Sequence, residues 1–277
     1  MRGRIIKLIS NDYTVYAEDK KEYICKSRGK FRNDKIRPLV GDFVEFDPIN
    51  YYILSIEKRK NELIRPPVSN IDQVIVVTST KLPDFSSNLL DKLLYIISFH
   101  NIKPIICFTK LDLLTEEEKR DIDCIVHYYK SVGYKVCLNT EIDKIKALLK
   151  GKVTVFTGQS GAGKSTLLNK LDPTLELLTD EISIALGRGK HTTRHVELHS
   201  LFDGWVADTP GFSSVDFEGM TSSDIRDQVL EFEKYKDKCK YKDCMHVKED
   251  SCRIKDLVED HTILPSRYQN YLKFIGR

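Results

Sequence analysis

Gly158-Gln159-Ser160-Gly161-Ala162-Gly163-Lys164-Ser165-Thr166 is the stretch around which the rest of the chain can be read. Its spacing is GxxxxGK[ST]. The glycines let successive backbone N–H groups curl round a polyphosphate, Lys164 can reach the β- and γ-phosphates, and the Ser165 hydroxyl can ligate Mg²⁺. Upstream, Lys152-Val153-Thr154-Val155-Phe156-Thr157 is a short β-branched, apolar run. Downstream, Leu167-Leu168-Asn169-Lys170-Leu171 opens a helix whose N-terminal dipole and free amides favour an anion. Strand, glycine loop and helix in that order imply a nucleoside triphosphate site.

Outward from this loop, two further elements fall at strand ends. The strand ending at Phe108 is followed by Thr109-Lys110-Leu111-Asp112, close to the NKxD element by which GTPases read guanine. A carboxylate at Asp112 accepts from the ring N–H and exocyclic amine, a pair that adenine does not offer, and Lys110 can pack its stem against the ring. Downstream, Gly189-Lys190-His191-Thr192-Thr193-Arg194 has the look of a first switch, and Gly204-Trp205-Val206-Ala207 runs into Asp208-Thr209-Pro210-Gly211, a DxxG element. There Asp208 would hold Mg²⁺ through a water and the Gly211 amide would meet the γ-phosphate. In ordinary GTPases the base-reading element follows the phosphate loop; here it comes first, so the order is that of a circularly permuted GTPase.

The flanks read differently. Residues 1 to 64 carry short strands at Arg4 to Ile9, Tyr13 to Ala17, Glu22 to Cys25, Asp42 to Phe46 and Tyr51 to Glu57, which suits an all-β OB-type barrel. Lys26, Arg28, Lys30, Arg32, Lys35 and Arg37 crowd one of its loops, and Arg28, Lys30 and Arg32 are the candidate RNA phosphate contacts. Arg65-Pro66-Pro67 reads as a stiff linker. Residues 65 to 215 then alternate strand and helix: strands at Gln73 to Thr78, Pro104 to Phe108, Lys135 to Leu138 and Val153 to Thr157, helices at Asn88 to Phe99, Thr115 to Lys130 and Ile142 to Lys150. That alternation predicts an α/β domain with a mostly parallel sheet and its ligand at the carboxyl ends of the strands.

From 216 to 277 the expectation is a helical zinc-binding domain, with one polar helix over Ser222 to Lys236 and a helical tail from Pro265 to Ile275. Between them Cys239, Cys244, His246 and Cys252 suit a closed Cys₃His site for one structural Zn²⁺, which can order a domain too small to supply its own core. The remaining cysteines, Cys25, Cys107, Cys124 and Cys137, are scattered through apolar stretches in the manner of reduced core residues. The tail and the GTPase core are expected to have separate sources of stability.

Composition excludes some classes and leaves others open. With 44 Lys and Arg against 41 Asp and Glu, the balance of +3 supplies no bulk field, so any nucleic-acid contact must come from local patches. Hydrophobic content of 41% supports real cores. The N-terminus lacks an apolar signal core and no run approaches the roughly 18 apolar residues of a membrane span, so a soluble, cytoplasmic protein without a membrane partner is expected. A small-molecule kinase would also use the phosphate loop, but the TKLD and DTPG elements speak against it. A non-catalytic RNA-binding protein with a decayed site conflicts with the intact loop.

Taken together, GQSGAGKST at 158–166, GKHTTR at 189–194, DTPG at 208–211 and the cysteine spacing from 239 to 252 resemble the ribosome small-subunit-dependent GTPase A family (RsgA, also called YjeQ), over essentially the whole chain. The resemblance implies GTP hydrolysis to GDP stimulated by the small ribosomal subunit, contact with its rRNA, action as a monomer in late subunit maturation, and release once the site is mature. It also points to His191 as the residue that orients the attacking water, because Phe212 stands where other GTPases often carry Gln, and to Thr193, with Thr192 as the alternative, as a Mg²⁺ ligand. Two departures bear on guanine affinity. Thr109 stands where Asn is commoner, at a cost of about 1 kcal/mol if one hydrogen bond is lost, and the fifth GTPase element, near Leu138-Asn139-Thr140, is degenerate.

Overall fold

The computed structural model describes residues 1–29, 31, 36–64, 66–175, 177, 196–208 and 216–276, with Asp208 described by its backbone alone. At the N-terminus, β1 (Arg2–Ile9), β2 (Asp12–Ala17), β3 (Glu22–Ser27), β4 (Phe43–Asp47) and β5 (Tyr52–Ile56) close into a barrel in the order β1-β2-β3-β5-β4. The alternation in β2, with Tyr13, Val15 and Ala17 buried between partly exposed neighbours, is the period-two pattern of a half-buried strand. Ile5, Val15, Cys25, Val44, Phe46 and Ile53 fill the barrel without measurable exposure. Parallel pairing of β3 with β5 and antiparallel closure of β4 on β1 give the expected OB-type arrangement.

The expected linker at Arg65-Pro66-Pro67 is described only at its prolines, and these do not form a free linker. Pro66 and Pro67 stand in the turn of a small hairpin, β6 (Glu62–Leu63) against β7 (Val68–Ser69), that is stitched back onto the barrel. Val68 bridges to Val40, Ser69 Oγ donates to the buried Asp42 carboxylate at 2.6 Å, and Arg59 donates to the same carboxylate at 2.7 and 2.8 Å. Proline does end regular structure, as expected, but a hairpin turn meets that demand as well as a linker does.

The central sheet has the order β10-β9-β8-β11-β13-β12. Its strands are β8 (Gln73–Ser79), β9 (Lys103–Thr109), β10 (Lys135–Leu138), β11 (Val153–Gly158), β12 (Leu198–Leu201) and β13 (Gly204–Asp208), all parallel to their neighbours except β12, which runs antiparallel to β13. Nearly every residue of β8 is buried, as befits a strand covered on both faces. The covering helices are α1 (Ser87–Phe99), α2 (Glu116–Val132), α3 (Ile142–Leu149) and α4 (Lys164–Leu171). Thr115 stands just outside α2 as its N-cap, in a capping box with Glu118. The barrel rests on the β12–β13 hairpin: Lys7 pairs with Glu197 at 2.7 Å, and Tyr16 meets Trp205 edge-on at 5.2 Å.

The polar helix expected over Ser222 to Lys236 is instead two short ones, α5 (Ser222–Asp227) and α6 (Leu230–Tyr235). The break at Gln228-Val229 buries Val229 along with Ile225 and Phe232 on the same core. Two more helices follow, α7 (Arg253–Glu259), which the sequence reading lacked, and α8 (Pro265–Phe274), with Pro265 in its first turn. One continuous apolar cluster joins barrel residues such as Ile5, α1 residues such as Leu94 and tail residues such as Ile254 and Tyr271. The tail helices thus share a core with α1 and are not packed apart from the central domain. No described helix is long and apolar enough to cross a membrane.

Candidate functional site

The glycine loop leaves the sheet at β11, between β8 and β13. A Cβ at Gly158 would lie 2.1 Å from the Val77 carbonyl oxygen, so only glycine lets β11 pass β8 at this point. Gly163, at φ +86°, caps α4 in the left-handed region and turns the chain into Lys164 and Ser165, the first two residues of the helix. The opening amides of a helix lack intrahelical acceptors, which makes this end an anion site. Of the nine loop residues, Gly158 and Ala162 are buried, Ser160 and Thr166 are exposed, and Gln159 shares a small crevice with Ser86 and Leu89 at the start of α1.

Thr109-Lys110-Leu111-Asp112, expected to read the base, sits two strands away, at the end of β9. Because β9, β8 and β11 are parallel, their carboxyl ends coincide and bring residues 109–112 to the same rim as residues 158–166. Thr109 is 1% exposed, and its hydroxyl donates to the Ala162 carbonyl at 2.6 Å. The threonine that departs from the usual Asn thus ties the base-reading loop to the phosphate loop. Lys110 adopts the left-handed conformation at φ 60°, with its ammonium on the Leu82 carbonyl. Asp112 is exposed in the single 3₁₀ turn Leu111–Leu113. On the neighbouring strand end, the Asn139 N–H donates to Phe108 O at 2.9 Å, which places Leu138-Asn139-Thr140 beside the same rim.

Asp208 ends β13 in register with Phe156 of β11, so its backbone lies next to the phosphate loop. Its side chain, together with His191, Thr192, Thr193 and Gly211, lies outside the described residues. On the barrel, Arg28 is exposed, whereas Lys30 and Arg32 also lie outside the described residues. The segment Ser79–Leu82, which touches the base-reading loop, carries no motif by which a sequence reading would single it out.

The second cluster is in the tail. Cys239, Cys244, His246 and Cys252 bring their ligand atoms within 4.8 Å of one another, with three of the four residues buried. His246 Nδ1 lies 3.7 Å from the Cys239 sulfur and 3.4 Å from that of Cys252. Glu249 holds the connecting loop by accepting from the Met245 and Val247 amides at 2.7 and 2.8 Å, and Tyr268 donates to the His246 carbonyl at 2.6 Å. Burial pushes the Cys244 thiol up to about 12 and the His246 imidazole down to about 4. A cation among these donors would offset the first effect by stabilising thiolate. His246 Nε2 is buried without a hydrogen-bond partner, so the ring's described polar contacts all run through Nδ1 toward sulfur. The cluster can hold a metal ion.

Comparison with known proteins agrees with this geometry. The RsgA N-terminal domain matches residues 2–52 and the RsgA GTPase family matches residues 56–218. A protein of Oceanobacillus iheyensis named small ribosomal subunit biogenesis GTPase RsgA 2 is 47% identical, covering 99% of this chain and 96% of its own. Its namesake in Enterococcus faecalis, RsgA, is 49% identical over 99% of this chain and 94% of its own. Among solved structures, YloQ, described as a circularly permuted GTPase, superposes with a TM-score of 0.82 at 37% identity, covering 99% of this chain and 93% of that one. YjeQ from Thermotoga maritima gives 0.83 at 33% identity, covering 100% and 99%. With a GxxxxGK[ST] loop, a TKxD element that precedes it in the chain and a full-length match of this kind, the chain belongs to the RsgA family of circularly permuted GTPases.

Proposed function

We propose that this chain hydrolyses GTP to GDP and phosphate as a late maturation factor of the small ribosomal subunit, that the subunit stimulates this turnover, and that the factor leaves the subunit after it. The observation that carries the reading is the 2.6 Å bond from the Thr109 hydroxyl to the Ala162 carbonyl, which holds an aspartate-bearing loop against a phosphate loop. Asp112 reads the guanine edge, with Lys110 beside it and Thr109 behind them. Residues Gly158 to Thr166 wrap the phosphates, Lys164 neutralises charge on the β- and γ-oxygens, and the Gly211 amide meets the γ-phosphate. Mg²⁺, which Ser165 and Thr193 would ligate and Asp208 would hold through a water, would supply further charge neutralisation. His191 orients the water that attacks the γ-phosphorus.

Cys239, Cys244, His246 and Cys252 hold one structural Zn²⁺, the ion suited to a thiolate-rich, four-donor set. Residues 1–64, 65–215 and 216–277 form the OB barrel, the GTPase domain and the zinc-binding domain of a cytoplasmic monomer. Arg28, Lys30 and Arg32 contact rRNA phosphate. Phosphate release from GTP and from ATP, measured with and without small subunits, tests the reading. GTP turnover that rises on adding subunits, with ATP inert, is expected; equal turnover of the two, or no response to subunits, would overturn it.

A further inference from the structure

We propose that Thr80, with its neighbours Ser79 to Leu82 at the end of β8, is a specificity-positioning residue that holds Asp112 in its guanine-reading place. This rests on the assignment of Asp112 as base reader. Thr80 is 7% exposed and flanks the loop from the strand between β9 and β11. Its N–H donates to the Thr109 carbonyl at 3.1 Å, and its hydroxyl lies 2.9 Å from that oxygen and 3.1 Å from the Lys110 carbonyl. Those two carbonyls bracket Lys110, the residue held at φ 60°. A non-glycine residue in that conformation persists only where its surroundings over-determine it, and Thr80 supplies donors on both sides of it.

The neighbouring residues close the bracket. Ser79 Oγ donates to the Lys81 carbonyl at 2.7 Å, and the Leu82 carbonyl accepts the Lys110 ammonium. Lys81 Nζ reaches both Glu118 oxygens at 2.7 and 2.9 Å. Glu118 in turn accepts from the Thr115 amide at 2.8 Å, which fixes the chain just after Asp112. Thr80, Lys81 and Leu82, braced by Ser79, thus hold the base-reading loop before and after its aspartate. Thr80 acts through main-chain carbonyls, and its effect therefore falls on where the Asp112 carboxylate stands and not on the phosphates. A carboxylate that must accept two guanine N–H groups together tolerates little displacement.

Titration of the full chain with fluorescently labelled GDP, XDP and ADP tests the proposal in Thr80→Val, Thr80→Ser and Asp112→Asn. Thr80→Val should weaken GDP by about five-fold, the worth of one hydrogen bond, and leave ADP affinity unchanged. Thr80→Ser, which keeps the donor, should restore it. In steady state the same loss should appear in KM for GTP with kcat unchanged. Lys81→Ala, at a partly exposed ion pair, is the second variant should Thr80→Val fold poorly, and should weaken GDP about two-fold with ADP again unchanged. Parental GDP binding in both variants, or equal losses for GDP and ADP, would overturn the proposal while Asp112→Asn still turned preference toward XDP. If Asp112→Asn keeps its preference for GDP, the base-reading assignment itself fails and this proposal with it.

Discussion

Arg267 of α8 and Asp91 of α1, 176 residues apart, form an ion pair whose side chains are 1% and 0% exposed. The same guanidinium makes a two-pronged contact with Glu231 of α6 at 2.8 and 2.8 Å, and the rings of Tyr95, Tyr129 and Tyr134 lie 5.1 to 5.7 Å from it. Tyr129 and Asn270 add donors to Asp91 at 2.6 and 2.7 Å, and Tyr128 adds one to Glu231 at 2.9 Å. Burial raises Asp91; at Glu231 burial is again the largest single effect and acts upward, but the Arg267 charge together with the hydrogen bonds from Arg267, the backbone and Tyr128 holds the carboxyl below its usual range. Removing the guanidinium leaves two buried carboxylates without their cation. Arg267→Ala should cost about 3–5 kcal/mol. Because the triad joins the tail to α1, unfolding followed by far-UV circular dichroism and by Trp205, the single tryptophan, should move together. A tail transition separate from an unshifted Trp205 transition would count against it.

Thr109→Val keeps the shape of the side chain and deletes the donor to Ala162. The buried carbonyl then lacks that partner, so GTP affinity should fall by about five- to ten-fold, with the same loss for GDP. Equilibrium titration checks this, and unchanged affinity for both nucleotides would remove the tether from the account of binding.

Lys164→Ala and Ser165→Ala should abolish detectable hydrolysis, because each deletes a charge or metal contact at the phosphates. Unchanged turnover with small subunits, in both variants, would refute the assignment of residues 158–166.

One equivalent of metal should copurify with the chain and be lost in Cys244→Ser and His246→Ala. Tyr268 and Tyr271 of α8 hold the His246 and Met245 carbonyls at 2.6 Å each, and Tyr271 belongs to the shared core. Metal removal by a chelator should therefore lower the Tm of the whole chain and not merely loosen the tail. Stoichiometric metal in both variants, measured by mass spectrometry, would rule out these ligands.

His191→Ala should leave GTP binding nearly intact while lowering subunit-stimulated hydrolysis by about 10² to 10⁴, the usual worth of a positioned acid–base group. Such a variant should stay on the small subunit with GTP. An affinity loss that matches the rate loss would instead mean that the side chain holds the nucleotide and does not act on water.

The motifs were legible in the sequence because their causes are local. Gly163 is needed by the left-handed turn into its own helix, the β-branched run before the loop makes a strand by its own pattern, and the ligand spacing from Cys239 to Cys252 lies within one loop. Barrel strands such as β2 and β4 were legible for the same reason, since burial alternates along them. What only the tertiary structure decided are contacts between residues far apart in the chain. The partner of Thr109 is 53 residues away and depends on β8 lying between β9 and β11. The hold of Thr80 on Lys110 and the return of the Pro66-Pro67 hairpin to Asp42 depend likewise on strand order and closure. Arg267 reads in sequence as one more surface charge of a polar tail, and only the packing of α8 against α1 buries it. Periodicity and spacing carry the information that acts along the chain, whereas a hydrogen bond or ion pair across it is fixed by which elements meet.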